Sequence, residues 1–349
     1  MSVMKVSFYS ILILTITIFI AGSCTGKKPE QPGKAEPVIS PVSIAVATET
    51  RLLMQDLKEN GDYVNSREFP SLIKASIVKE AVDQNQNIHI IDIRKPQLYT
   101  KGHIKGSVNK KFEDLPAYFE SGIKPFEYDK IIVVCDDGQV SSYTTALLRL
   151  MGYGNVYALR WGMSSWNREN ASNAWLSGLS SKYEAKLEKQ ENAKPAPTRM
   201  PEITTGFTTG PEIATARFKT IFSEGSDKIM ITAEDVFANP GEYFVINYER
   251  KDKYDDAHIP GAVRYKPNAT LSFTQEMATI PTDKTVVVYC GTGHNSSFAT
   301  AYLRLAGYDA RTLQYGNNAF MYDWMVKDEA GLSWLPFNEA ADVNNYPVE

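Results

Sequence analysis

Residues 131–153 read IIVVCDDGQVSSYTTALLRLMGY, and residues 286–308 read VVVYCGTGHNSSFATAYLRLAGY. Each stretch opens on a β-branched apolar run that ends at a cysteine, turns through a glycine, and continues into a helical pattern that stops at a second glycine. A short apolar run of this kind suits a buried strand, and a glycine just past the last periodic residue suits a helix C-terminus. The order strand, cysteine loop, helix is therefore predicted twice. At the same offset of 155, Asp92 falls over Asn247, and His103, Ile104 and Gly106 fall over His258, Ile259 and Gly261. Cys135, Gly138, Ser141 and Ser142 fall over Cys290, Gly293, Ser296 and Ser297, and the match continues to Tyr153 over Tyr308. A period this long exceeds that of stacked solenoid repeats and predicts two similar domains. The length of 349 residues also agrees with about two domains.

Around the cysteine loops the same alternation holds. IHIID at 88–92 and VYAL at 156–159 read as strands in the first copy, and YFVIN, TVVVYC and RTLQ take their places in the second. Buried apolar strands alternating with helices predict an α/β fold, in each copy a parallel sheet flanked by helices. Each cysteine then ends a strand at the carboxyl edge of its sheet, where ligands bind in such folds. A short loop there can turn its backbone N–H groups inward, and those groups with the helix N-terminus favour an anion. A cysteine held in such a loop has a lowered pKa and becomes a nucleophile. Cys290 and Cys135 are the candidate nucleophiles, with Gly138 and Gly293 permitting the tight turns. The loops differ in charge, because Asp136 and Asp137 stand beside Cys135. Two carboxylates should raise a thiol pKa and repel an anionic donor, which favours Cys290.

The constellation resembles the rhodanese family in its tandem two-domain form. The residues that carry the resemblance are the Asp92-Ile93-Arg94 corner, GHI-G at 102–106, the cysteine loop, and the segment from Leu148 to Trp166 with its GY, NVY and final tryptophan. The second copy carries AHIPGA at 257–262, CGTGHNSS at 290–297 and LRLAGY at 303–308. The resemblance implies two tandem rhodanese-like domains and a sulfurtransferase. In that family a sulfane sulfur passes from a small sulfur-containing anion, thiosulfate or mercaptopyruvate, through a cysteine persulfide to a thiol or cyanide. It implies no cofactor and places donor binding on the loop residues Gly291, Thr292, Gly293, His294, Asn295 and Ser296. His294 either helps bind an anionic donor or faces solvent.

There are departures from the family pattern. The arginine that many single-domain members place sixth in the loop is replaced by Val140 and Asn295, while Cys290-Gly291-Thr292-Gly293 is close to the mercaptopyruvate-type loop. In the second copy Asn247 and Glu249 stand where the corner has Asp92 and Arg94, and a one-residue shift would let Arg250 compensate. These departures keep a second expectation open: a non-catalytic rhodanese-fold envelope lipoprotein that acts as a binding or structural module.

The chain opens on an apolar run, Val6 to Ile20, followed by Ala21, Gly22, Ser23 and Cys24. A run of that length falls short of a bilayer span but suits a signal-peptide core. The residues before Cys24 resemble a bacterial lipobox, with Ala21 where a branched apolar residue is usual. The expected organisation is a signal peptide at 1–23, a flexible tether at 24–45, domain one at 46–184, a linker at 185–210 and domain two at 211–349. Lipidation of Cys24 would anchor the protein to a membrane of the bacterial cell envelope, facing the periplasm or the exterior. The tether, rich in proline, glycine, lysine and glutamate, has too little apolar surface to offset its ordering entropy.

Other classes are excluded by simple counts. A net charge of −4 gives no basic surplus for nucleic acid. Three cysteines, Cys24, Cys135 and Cys290, make no disulfide framework and match no thiolate zinc spacing, so no metal is expected. A phosphatase cradle needs an arginine six positions after the cysteine, where Ser141 and Ser296 stand.

Overall fold

The computed structural model describes residues 46–272, 274–327 and 334–349. The signal peptide, Cys24 and the tether read from the sequence lie outside these residues. Each copy forms a five-stranded, all-parallel sheet. In the first, β1 (Leu72–Ile73), β2 (Ile88–Asp92), β3 (Val108–Asn109), β4 (Lys130–Val134) and β5 (Val156–Leu159) lie in the order β1-β5-β4-β2-β3. In the second, β6 (Met230–Ile231), β7 (Tyr243–Asn247), β8 (Val263–Arg264), β9 (Thr285–Tyr289) and β10 (Ala310–Leu313) repeat it as β6-β10-β9-β7-β8. The predicted α/β class with two tandem domains is the observed one.

The central strands explain this layering. Ile131, Ile132, Val133 and Val134 are all buried, as are Val286, Val287, Val288 and Tyr289. A strand buried at every residue has both faces covered, which is the pattern of a parallel sheet with helices on either side. The helices that follow the two cysteine loops, Gln139–Leu150 and His294–Leu305, pack against each other. Both copies belong to one compact unit, so the two loops approach one another across a shared core.

Chain segments cross between the copies. The N-terminal helix Thr48–Glu59 packs on the helix Gly210–Ser223, and the Thr50 hydroxyl donates to the Pro201 carbonyl at 2.8 Å. Between Leu187 and Thr209 the chain has no helix and pairs only as the bridge Glu188–His258, yet Met200 and Ile203 are buried. It is therefore a packed strap along the body. The C-terminal residues run along the first copy: Tyr346 N–H donates to the Trp166 carbonyl at 2.7 Å, and Glu349 and His103 exchange backbone hydrogen bonds at 3.0 and 3.1 Å.

Candidate active site

Each cysteine directly follows the central strand of its sheet, and the loop after it is closed by a glycine at the helix N-cap. Gly138 has φ of 89° and Gly293 has φ of 77°, conformations that a Cβ strains. Space is also lacking: a Cβ on Gly138 would sit 2.9 Å from the Trp161 backbone nitrogen, and one on Gly293 would strike the Gln139 side chain.

The loops hold their sulfur atoms in similar ways. Cys135 Sγ accepts from the N–H groups of Gly138 at 3.1 Å and Ser141 at 3.2 Å. Cys290 Sγ accepts from Ser296 N–H at 3.4 Å, and its own S–H points to the Ser296 hydroxyl at 3.6 Å. Both thiols are free and buried. Burial pushes both pKa values up, against the sequence expectation of a lowered one, with Asp137 adding to the rise at Cys135 and Glu249 at Cys290. The physical reason is that the few N–H donors do not offset the loss of water around the thiolate.

The surroundings separate the two. Asp137 Oδ1 lies 3.5 Å from Cys135 Sγ and accepts Gln139 N–H at 2.8 Å. Burial pushes Asp136 up to about 6, with Arg94 opposing and Asp137 reinforcing that rise. Cys290 instead lines a cavity of about 450 Å³. That cavity receives Lys74 and Arg160 from the first copy, Arg250 and Lys253 from the second, and one carboxylate, Glu249. Arg160 lies over the Trp161 ring at 4.9 Å, and neither it nor Lys74 has an ion-pair partner among the described residues. Cationic side chains around a low-dielectric mouth favour a small anion.

Of the predicted donor-binding residues, Gly291, Thr292 and Asn295 line this cavity with Cys290. Ser296 serves the sulfur and the core, its hydroxyl 2.7 Å from Thr312 Oγ1. Gly293 abuts Gln139. His294 is buried against the first copy, where its Nε2 accepts Trp161 N–H at 3.1 Å and its Nδ1 lies 2.9 Å from Thr292 Oγ1. Burial, helped by Arg160, depresses its pKa to about 3, so the ring is neutral near pH 7. It does not face solvent.

This contact has a counterpart. Gln139, equivalent to His294, reaches into the second copy: its Oε1 accepts Tyr315 N–H at 2.6 Å and its Nε2 donates to the Leu313 carbonyl at 3.0 Å. Trp161 and Tyr315 both hold positive φ, 65° and 59°, so each copy's strained turn is tied down by the other copy's loop helix. The sequence reading missed Lys74, Arg160 and Gln139 as site neighbours. Arg160 immediately follows β5 at the carboxyl edge of the sheet, which is the one signal that could have marked it.

The corner also differs from expectation. In the first copy Arg94 Nη2 and Asp92 Oδ2 pair at 2.7 Å in full burial. In the second, Arg250 does not compensate: it is exposed and pairs with Asp252 at 3.0 Å. Glu249, by contrast, is buried. Among the described residues, no cluster of three or more His, Cys, Asp or Glu could hold a metal.

The rhodanese-like domain family matches residues 74–169 and 236–323, more than half of the chain. Among curated relatives, the tRNA uridine(34) hydroxylase of Rickettsia canadensis is 28% identical over 120 residues, 33% of this chain and 44% of that one. The same-named protein of Teredinibacter turnerae is 29% identical over 112 residues, 31% of this chain and 32% of that one. The chain thus spans less than half the length of these relatives. Among solved structures, thiosulfate sulfurtransferase from Pseudomonas aeruginosa aligns over 80% of this chain and 69% of its own at 15% identity and TM-score 0.26. A rhodanese-related protein from Thermoplasma volcanium aligns over 28% of this chain and 92% of its own at 23% identity and TM-score 0.25.

Proposed function

The chain belongs to the rhodanese-like domain family, carrying that domain twice, and on this premise we propose that it is a sulfurtransferase whose working nucleophile is Cys290. The donor is a small sulfur-containing anion, thiosulfate or mercaptopyruvate, and the acceptor is a thiol or cyanide. The observation that carries the reading is the placement of Cys290 on a cavity lined by Lys74, Arg160, Arg250 and Lys253. The cations draw the anion toward the sulfur, the Cys290 sulfur attacks the sulfane sulfur, and the leaving group departs with the electron pair of the broken bond. Cys290 then carries a persulfide, which the acceptor thiol removes. Two of the four cations come from the first copy, so that copy contributes to the site even with Cys135 idle.

The test is persulfide formation on the purified protein with thiosulfate and with mercaptopyruvate. Wild type gains the mass of one sulfur atom, and Cys290→Ser gains none. Absence of sulfur transfer from either donor in a folded wild type favours the other reading, a rhodanese-fold module that binds a partner without catalysis. The altered second corner, Asn247 and Glu249, is the observation behind that alternative.

The leader and Cys24 motivate a location: a lipid on Cys24 holding the protein at the bacterial cell envelope. Cys24→Ser should move the protein from the membrane fraction to the soluble one.

A further inference from the structure

The second copy lacks the charge pair that seals the first copy's corner, and what stands there instead faces the nucleophile's loop. In the first copy Asp92 and Arg94 neutralise each other in burial. In the second, Glu249 takes the place of the arginine and is itself buried. Its Oε2 accepts from Asn317 Nδ2 at 3.0 Å and from Asn247 Nδ2 at 3.3 Å. Oε1 is directed to the cysteine loop, 3.3 Å from where a Cβ on Gly291 would lie. The side chain lines the same cavity as Cys290. Two neutral amides therefore fix one oxygen, and the other meets the backbone of Gly291, the residue that follows the nucleophile.

We propose that Glu249 is the proton acceptor for Cys290, taking the thiol proton as the sulfur attacks and delivering it to the leaving group. This rests on the sulfur-transfer reading of the same site. With thiosulfate the step balances without any further reactant. The Cys290 thiol and the thiosulfate dianion become a Cys290 persulfide anion and hydrogen sulfite. The new S–S bond forms at the sulfane sulfur, the donor's S–S bond breaks, its electron pair leaves on sulfite, and the proton travels by way of Glu249.

The electrostatics fit a shared proton. Burial raises Glu249 to about 7, against the hydrogen bonds from Asn317 and Asn247, the charge of Lys253 and the Gly291 backbone. The Cys290 thiol is raised too, partly by Glu249 itself. Two acids on one cavity wall, one raising the other, titrate as a pair, and one negative charge is held there more readily than two. The other titratable or charged groups around Glu249 are Lys253 on the helix Lys251–Asp256, Tyr289 at the end of β9, and Arg250, Lys74 and Arg160 on the cavity wall. A base poised near neutrality is effective because it is both available and strong enough to accept.

The experiment compares wild type with Glu249→Gln and Glu249→Asp in two assays across pH 5 to about 9, a window bracketing the raised carboxyl. The first is single-turnover persulfide formation from thiosulfate. The second is alkylation of Cys290 by iodoacetamide, read at the Cys290 peptide, which needs no sulfur chemistry. The expected result is that Glu249→Gln slows persulfide formation by about a hundredfold and loses the rise in both rates near pH 7, while Glu249→Asp restores part of each. A carboxylate that acts only as a negative neighbour gives the opposite sign, since its removal lowers the thiol pKa and speeds alkylation. Equal or faster alkylation in a folded Glu249→Gln overturns the proposal. If wild type forms no persulfide, the sulfur-transfer reading fails by itself, and alkylation still decides whether Glu249 takes the proton.

Discussion

Cys135 and Cys290 both follow the central strand of a sheet, and both accept an N–H from a serine six residues on, Ser141 at 3.2 Å and Ser296 at 3.4 Å. Around the first stand Asp136 and Asp137, with the nearby Arg94 already committed to Asp92. Around the second stand four cationic side chains, an open cavity and a single buried carboxylate. The contrast teaches that the fold builds the cradle, while reactivity depends on what the neighbouring elements and the other copy bring to it. The first copy has kept the sealed corner, and the second has exchanged it for Glu249. On the proposed reading, stability and chemistry are divided between the two copies.

The largest expected effect lies at the crossing between the loops. His294→Ala strands the buried Trp161 N–H and leaves a void, and should lower unfolding stability by about 3 kcal/mol in denaturant titration. His294→Gln restores an acceptor of the kind Gln139 already offers Tyr315 and should recover most of that loss. The histidine also brings acid sensitivity. Its folded pKa is about 3 and its ordinary value 6.5, so its contribution is present above 6.5 and is lost as pH falls toward 3. His294→Gln should flatten that part of the stability profile.

Next in size is the corner. Glu249 is raised to about 7 from 4.5, so burying its carboxylate costs stability that appears as pH climbs through that interval. Glu249→Gln should therefore be more stable than wild type at pH 8, on the order of 2 kcal/mol, and show no gain at pH 4. A variant that is firmer yet slower would be the expected signature of a residue kept for chemistry. Equal stability at both pH values would show that ionising the buried Glu249 carries no cost.

The contribution of the first copy is smaller. Arg160→Ala should raise the donor KM about tenfold with kcat nearly unchanged, equivalent to roughly 1.4 kcal/mol. The effect should shrink with added salt, because Arg160 is partly exposed. An unchanged KM would confine the site to the second copy. Smallest is the attempt to make the first loop resemble the second: Asp137→Asn should lower the Cys135 pKa and raise its alkylation rate a few-fold, about what one removed neighbouring charge delivers.

Much of this is legible in the sequence. The repeat at a single offset, the β-branched runs ending in cysteine and the glycines of the loops dictate the two parallel sheets and put both thiols at their carboxyl edges. The inequality of the loops follows from Asp136 and Asp137 as residue types. The cross-copy contacts were not legible, because nothing local in Gln139 or His294 says that its partner lies 176 or 133 residues away, at Tyr315 and Trp161 respectively. Arg160 and Lys74 were hidden for the same reason. Glu249 was visible as a departure, but its inward direction depends on Asn317, which comes from the turn after β10. The thiol pKa was misjudged because sequence shows the N–H donors of a loop and not the depth of its burial.

The most direct test of the central claim uses wild-type protein and both cysteines at once. After a brief exposure to thiosulfate or mercaptopyruvate, native protein is digested and the peptides holding Cys135 and Cys290 are weighed. The account predicts one added sulfur on the Cys290 peptide and none on the Cys135 peptide. Sulfur on Cys135, or equal loading of the two, would contradict it.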